Sequence, residues 1–141
     1  MTSSRVYIDH LRRAPFFEAF SRRDLEKIAK ASDEVAVPAG SVILEQGREG
    51  YEAYMILSGT VVVKRNGRKV ATLTDGAMLG ELSLLDHGQR SATAICETDC
   101  TLLVLTQGTF MGVVADVPLL MHKLFVSLVG RIRELDELSL G

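Results

Sequence analysis

A chain of 141 residues can hold one hydrophobic core and hardly two. Apolar residues at 47% and charged residues at 24%, with only three prolines, exclude a disordered chain. A net charge of −2 and a pI of 5.9 offer no basic footprint, so no direct partnership with nucleic acid is expected.

Residues 1–10 lack the apolar core of a secretory leader, and the most apolar window, 102–130, is broken by Gln107, Asp116, Pro118, His122 and Lys123. A cytoplasmic protein with no membrane partner is the expectation. Residues 5–13 suit one or two helical turns that stop before Ala14-Pro15, because the residue preceding proline avoids helical angles. Phe16, Phe17 and Phe20 form an aromatic cluster that needs something to pack on. Ser21 then caps a second helix with Asp24 at its third position, and Leu25, Ile28 and Ala29 make its buried stripe. It should end near residues 31–32.

From Glu34 the apolar period changes to two. Val35 and Val37 lead into a Pro38-Ala39-Gly40 turn, residues 42–45 make a second strand, and 46–50 a loop. Strands at 51–57 and 60–65 follow. Asn66-Gly67 is the strongest hairpin signal in the chain, joining Val61 to Val63 with residues 70–73 through a type I′ turn. Residues 90–96 and 100–105 read as a last hairpin around Glu97-Thr98-Asp99. About eight short strands at this spacing predict an eight-stranded antiparallel jelly roll flanked by helices, mainly β within the α+β class.

Thr106 to Thr109 then start a helix that stops at Pro118, and a longer one runs to about residue 138. On the longer helix Met121, Phe125, Leu128, Ile132 and Leu135 recur at three- and four-residue steps. Such a seam suits docking on the roll or on a second copy of the chain, and two heptads do not choose between them. The organisation expected is one domain over residues 1–141: N-terminal helices at 5–33, a roll at 34–105 and C-terminal helices at 106–138.

Residues 75–94 concentrate the groups suited to a ligand. Gly80-Glu81 opens a short helical run from Leu82 to Leu85, and a polar Asp86-His87-Gly88-Gln89 loop delivers Arg90-Ser91 at the start of a strand. Unpaired amides at a helix start, glycine's small profile, a guanidinium fork and a hydroxyl together describe an anion cradle. Glu81 fits such a site when the ligand also carries a sugar hydroxyl that donates to it. The ligand inferred from these residues joins one phosphate to one ribose hydroxyl.

Gly80-Glu81-Leu82, eight intervening residues and Ser91-Ala92-Thr93, with Arg90 before the serine, resemble the phosphate-binding cassette of cyclic nucleotide-binding domains, here spanning residues 76–94. The resemblance covers nearly the whole chain and is nearest to the sensor half of bacterial cAMP receptor proteins. It implies a regulatory domain that binds cAMP foremost, or cGMP; no metal is expected, because two thiols and the scattered His10, His87 and His122 are too few ligands at suitable spacing. Amides near Gly80, Glu81 and Leu82 and the Arg90 guanidinium would hold the cyclic phosphate, Glu81 the ribose 2′-hydroxyl, and Ser91 the phosphate or the purine edge. Met78, Leu79 and Ala92 complete the implied ligand-binding set. The same resemblance implies a homodimer paired through the long helix, which closes over the purine and carries Arg131 toward the base.

Where the family usually has an acidic residue and then aromatics, this chain has Ala77, Met78 and Leu79, and Ser83 replaces a common alanine; Leu135 and Asp136 stand where related sensors have hydroxyl residues. Residues 106–141 leave no room for a helix-turn-helix, so the expectation is either a stand-alone receptor acting on an effector protein of unknown identity or a piece of a longer protein. A second reading is an interaction module of the same fold whose pocket binds nothing. A third, a cupin-like enzyme, needs histidines on adjacent strands, and His10, His87 and His122 all fall outside them. With no nucleophile motif or P-loop present, a non-enzyme is expected. Cys96 and Cys100 flank a three-residue turn and are read as reduced, small and buried.

Overall fold

The computed structural model describes residues 4–86 and 88–140, with side chains for 7–86 and 88–137. Among the described residues, four helices, two 3-10 turns and eight strands follow one another in an α+β order. The helices are α1 (Ser4–Arg13), α2 (Arg22–Ala31), α3 (Gln107–Asp116) and α4 (Leu120–Leu140). The strands are β1 (Asp33–Val37), β2 (Val42–Leu44), β3 (Glu52–Ser58), β4 (Val61–Arg65), β5 (Arg68–Leu73), β6 (Met78–Leu79), β7 (Thr93–Cys96) and β8 (Cys100–Thr106). They form two antiparallel sheets, ordered β1-β8-β3-β6 and β2-β7-β4-β5. This is the mainly β roll with flanking helices that the alternating pattern predicts.

Period-two alternation divides the central strands between two apolar layers. Ala53 and Met55 of β3, with Leu103 and Leu105 of β8, face the helices, where Phe16, Phe17, Leu25, Ile28, Phe110, Leu120 and Leu124 cover them. Ile56 and Leu102 face the other way, against Val61, Ala94 and Cys96 of the second sheet. The aromatic cluster therefore finds its partner in α3: Phe17 lies 5.0 Å from Phe16 and 5.1 Å from Phe20, ring to ring, and 6.5 Å from Phe110. One sheet thus carries the helices, and both faces of β3 and β8 are covered.

Local signals shape the connections. Asn66 and Gly67 both take positive φ, 54° and 78°, as a type I′ turn requires. Ser21 and Asp24 form a full capping box at the start of α2. The expected hairpin of residues 90–96 with 100–105 is absent: β7 pairs with β2 and β4, whereas β8 pairs with β1 and β3, so the Glu97-Thr98-Asp99 turn crosses from one sheet to the other. Thr60 enforces the crossing, its carbonyl accepting from Glu97 N and its amide donating to the Thr98 hydroxyl. Cys96 and Cys100 sit at that crossing as free, buried thiols. Burial, and then the neighbouring Cys100 thiol, pushes Cys96 up to about 12, which keeps it protonated and unreactive at neutral pH.

The long helix docks on the N-terminal helices through a stripe other than the predicted seam. Leu120, Leu124 and Ser127 are buried, and the Ser127 hydroxyl donates to Pro15 O at 3.1 Å. Of the seam residues, Leu128 packs partly on the core, while Met121, Phe125, Ile132 and Leu135 stay exposed. No single helix among the described residues is long and apolar enough to cross a membrane.

Lys123 Nζ lies 2.8 Å from Asp24 Oδ2, tying α4 to the start of α2. Burial alone would raise the Asp24 carboxyl, but the bonds from Lys123 and Ser21, with the Lys123 charge, outweigh it and hold it below its ordinary value. A carboxyl depressed in the folded state stabilises the protein above the unfolded value, and that contribution is lost as pH falls through the folded one. Asp24→Asn should cost about 1–3 kcal/mol at pH 7, less than a fully buried pair because Lys123 is 37% exposed. Urea titrations of parent and variant should converge below pH 3.8, the ordinary Asp value, and a gap unchanged there would refute the assignment.

Candidate functional site

The cassette begins where β6 leaves the sheet. Tyr54 pairs with Leu79 and Met55 with Met78, which fixes both residues against the central strand. Gly80 then turns the chain with φ of 69°, a left-handed conformation that side-chain-bearing residues resist. Glu81–Leu84 form a single 3-10 turn, one residue earlier than the expected helical run of residues 82–85. Four residues cannot build a macrodipole, so an anion at this turn would meet local amides and side chains rather than a helix end. Leu84 points back into the helix-covered core and anchors the turn, whereas Leu82 is exposed.

Arg90 returns opposite that turn. Its placement corrects the expectation of a strand start: β7 begins at Thr93, and residues 90–92 form an irregular approach to it. The backbone is nevertheless pinned. Arg90 N donates to Arg48 O at 2.7 Å, and Gly47 N donates to Arg90 O at 2.9 Å. The guanidinium reaches inward, where Nη1 donates to the Ser83 hydroxyl at 2.7 Å and to Gly80 O at 3.5 Å, and Nη2 donates to Glu52 O at 2.8 Å. A methyl group on either Gly50 or Gly80 would overlap it, so both glycines are needed for space. Nε–H and the second Nη2 hydrogen have no partner among the described residues.

A cavity of about 380 Å³ opens between the turn and Arg90, toward the small end of small-molecule sites. Met78, Leu79, Gly80, Glu81, Leu82, Arg90, Ser91 and Ala92 all line it, so the structure brings together eight of the nine residues singled out in the sequence. Arg131 does not line it. That residue lies on α4, with Nη1 buried and unpartnered among the described residues. His87, expected in the cassette loop, lies outside the described residues.

Sequence reasoning missed three residues that belong to this neighbourhood. Arg65, at the end of β4, lines the cavity and donates from Nε to Ser91 O at 3.1 Å. Ser83, seen in the sequence only as a departure from alanine, holds Arg90. Gln107, at the start of α3, donates from its side-chain amide to the carbonyls of Ser83 and Asp86. Behind Arg90, the Tyr54 phenol is raised by burial and by the Glu52 charge, with Arg90 pulling it partly back. Among the described residues no group of three or more His, Cys, Asp or Glu side chains could hold a metal ion.

The chain is similar to several proteins over most of its length. It is 32% identical over 128 residues to the cyclic AMP receptor protein of Thermus thermophilus, covering 87% of this chain and 59% of that one. It therefore spans about three fifths of that relative. The N-terminal domain of a transcriptional regulator from Streptomyces coelicolor superposes with a TM-score of 0.84 at 28% identity, over 92% of this chain and 96% of that domain. The regulatory domain of Toxoplasma gondii PKA, crystallised with cAMP, superposes with a TM-score of 0.72 at 26% identity, over 78% of this chain and 44% of that one. The family model described as cyclic nucleotide-binding domain matches residues 34–116, which contain the Gly80 turn, Arg90 and the cavity between them, and the chain belongs to that family.

Proposed function

We propose that this domain is a cyclic nucleotide sensor, with cAMP as the foremost ligand, that regulates a partner rather than catalysing a reaction, and that the chain works as one unit. Arg90 would hold the cyclic phosphate together with the amides of Gly80, Glu81 and Leu82 and the Ser91 hydroxyl. The Glu81 carboxylate would accept the ribose 2′-hydroxyl. Met78, Leu79 and Ala92 would contact the sugar and base, and Arg131 would approach the base from α4. The carrying observation is Arg90 itself, preorganised on the cavity wall by three bonds with two donors still uncommitted, the number a phosphate accepts from a fork. The relatives whose names speak of cyclic AMP support the choice of ligand.

In this reading the nucleotide favours an arrangement in which α4 closes over the site, because a ligand shifts a population only through its differential affinity. Slower amide exchange in residues 128–135 with cAMP bound checks that movement. Thermal melting with cAMP, cGMP and 5′-AMP separates a sensor from a module with an empty pocket. At a concentration 100-fold above Kd the bound nucleotide should stabilise by about 2.7 kcal/mol. The cyclic nucleotides should raise Tm and 5′-AMP should not; three flat curves would favour the interaction module.

The exposed stripe of Met121, Phe125, Ile132 and Leu135 supports a homodimer through α4. Sedimentation should report a dimer for the parent and a monomer for Ile132→Glu, and a monomeric parent would remove the dimer from the proposal.

A further inference from the structure

Gln107 makes no part of the cavity wall, yet its side chain holds the turn that does. Its Nε2 lies 3.2 Å from Ser83 O and 3.3 Å from Asp86 O, spanning the end of the Glu81–Leu84 turn. Two carbonyls side by side fix the orientation of the amide, because only its nitrogen end supplies two donors. The backbone of Gln107 is held independently, its N–H donating to Tyr51 O at 2.7 Å just before the start of β3. The first turn of α3 does not need the side chain either, since the Thr106 hydroxyl already accepts from Thr109 N. Gln107 is thus a fixed bracket whose free end reaches the cassette.

On the far side of the same turn, Ser83 accepts from Arg90 Nη1 at 2.7 Å. Arg90, Ser83 and Gln107 therefore form one unbroken line from the cavity wall to the first residue of α3. We propose that Gln107 is a positioning residue for the anion cradle: its amide fixes the turn against α3, and through Ser83 it fixes the aim of the Arg90 fork. This rests on the reading of Arg90 as the phosphate contact. It adds a requirement that the side chain at 107 be a donor, and it makes the cradle and the start of the C-terminal helices one mechanical piece.

Substitutions at 107 separate donation from mere filling of space. Gln107→Glu is nearly isosteric but sets a carboxylate against two carbonyls, Gln107→Ala removes the group, and Gln107→Lys restores donors. Calorimetry with cAMP should show Gln107→Ala weakened about tenfold, the scale of one or two ordinary hydrogen bonds. Gln107→Glu should be weaker still at pH 7.5, and Gln107→Lys should return to within about threefold of parent. Amide exchange of residues 82–86 in the ligand-free protein is the second readout, faster in the Ala and Glu variants and restored in the Lys variant. Parent-like exchange and affinity in Gln107→Glu, or no rescue by Gln107→Lys in a folded variant, would overturn the proposal. If the parent itself ignores cAMP, the reading of the ligand fails, and the exchange rates alone decide whether Gln107 holds the turn.

Discussion

Arg90→Ala should weaken cAMP binding by about 2–5 kcal/mol, roughly 30- to 4,000-fold, the range for truncating one member of a buried charge pair. The cost arises because Arg90 is the guanidinium braced at the cavity wall, held by Ser83, Gly80 and Glu52 with two donors left over. Arg65, the other cation there, is committed through Nε to Ser91 O. Arg90→Lys should recover only part of the loss, since an ammonium keeps the charge but not two parallel donors. The ligand-free variant should stay folded, about 1–2 kcal/mol less stable for the bonds lost to Ser83 and Glu52. Isothermal calorimetry reads the affinity, and parent-like binding by Arg90→Ala would remove the assigned phosphate contact.

Phe17→Ala should be the most damaging single truncation for stability, about 3–5 kcal/mol, a large share of the 5–15 kcal/mol that holds an ordinary domain together. Phe17 is fully buried and meets Phe16, Phe20 and Phe110 within 6.5 Å, so its ring joins the N-terminal segment to α3. The position lies outside the family-matched residues 34–116, yet the core under the sheet depends on it. Urea unfolding should show a midpoint shifted down at unchanged slope. A loss below about 1 kcal/mol would mean that the neighbouring rings collapse into the space, against the packing described above.

The parts of the fold that were legible are those encoded by near neighbours. Asn66-Gly67, the Ser21 capping box and the alternation in β3 and β8 each depend on residues within a few positions, and each forms as read. The cassette was legible for the same reason, since Gly80 to Ala92 form a continuous stretch that folds on itself. Features set by distant partners were not. A turn signal at Glu97-Thr98-Asp99 says that the chain reverses but not whether it stays in one sheet, and pairing with β1, β2, β3 and β4 decides that. β6, two residues long, has no period to detect. Arg65 and Gln107 reach the cassette only through the tertiary fold, and the Lys123 to Asp24 pair spans 99 positions. The stripe on α4 was seen, but which of its faces docks depended on Pro15 and Asp24.

The most direct test of the central claim is where cAMP sits in crystals of the complex. The account predicts its phosphate within hydrogen-bond distance of Arg90 Nε and Nη2, with the ribose 2′-hydroxyl on the Glu81 carboxylate. Nucleotide density anywhere else on the protein, or a phosphate out of reach of Arg90, would contradict it.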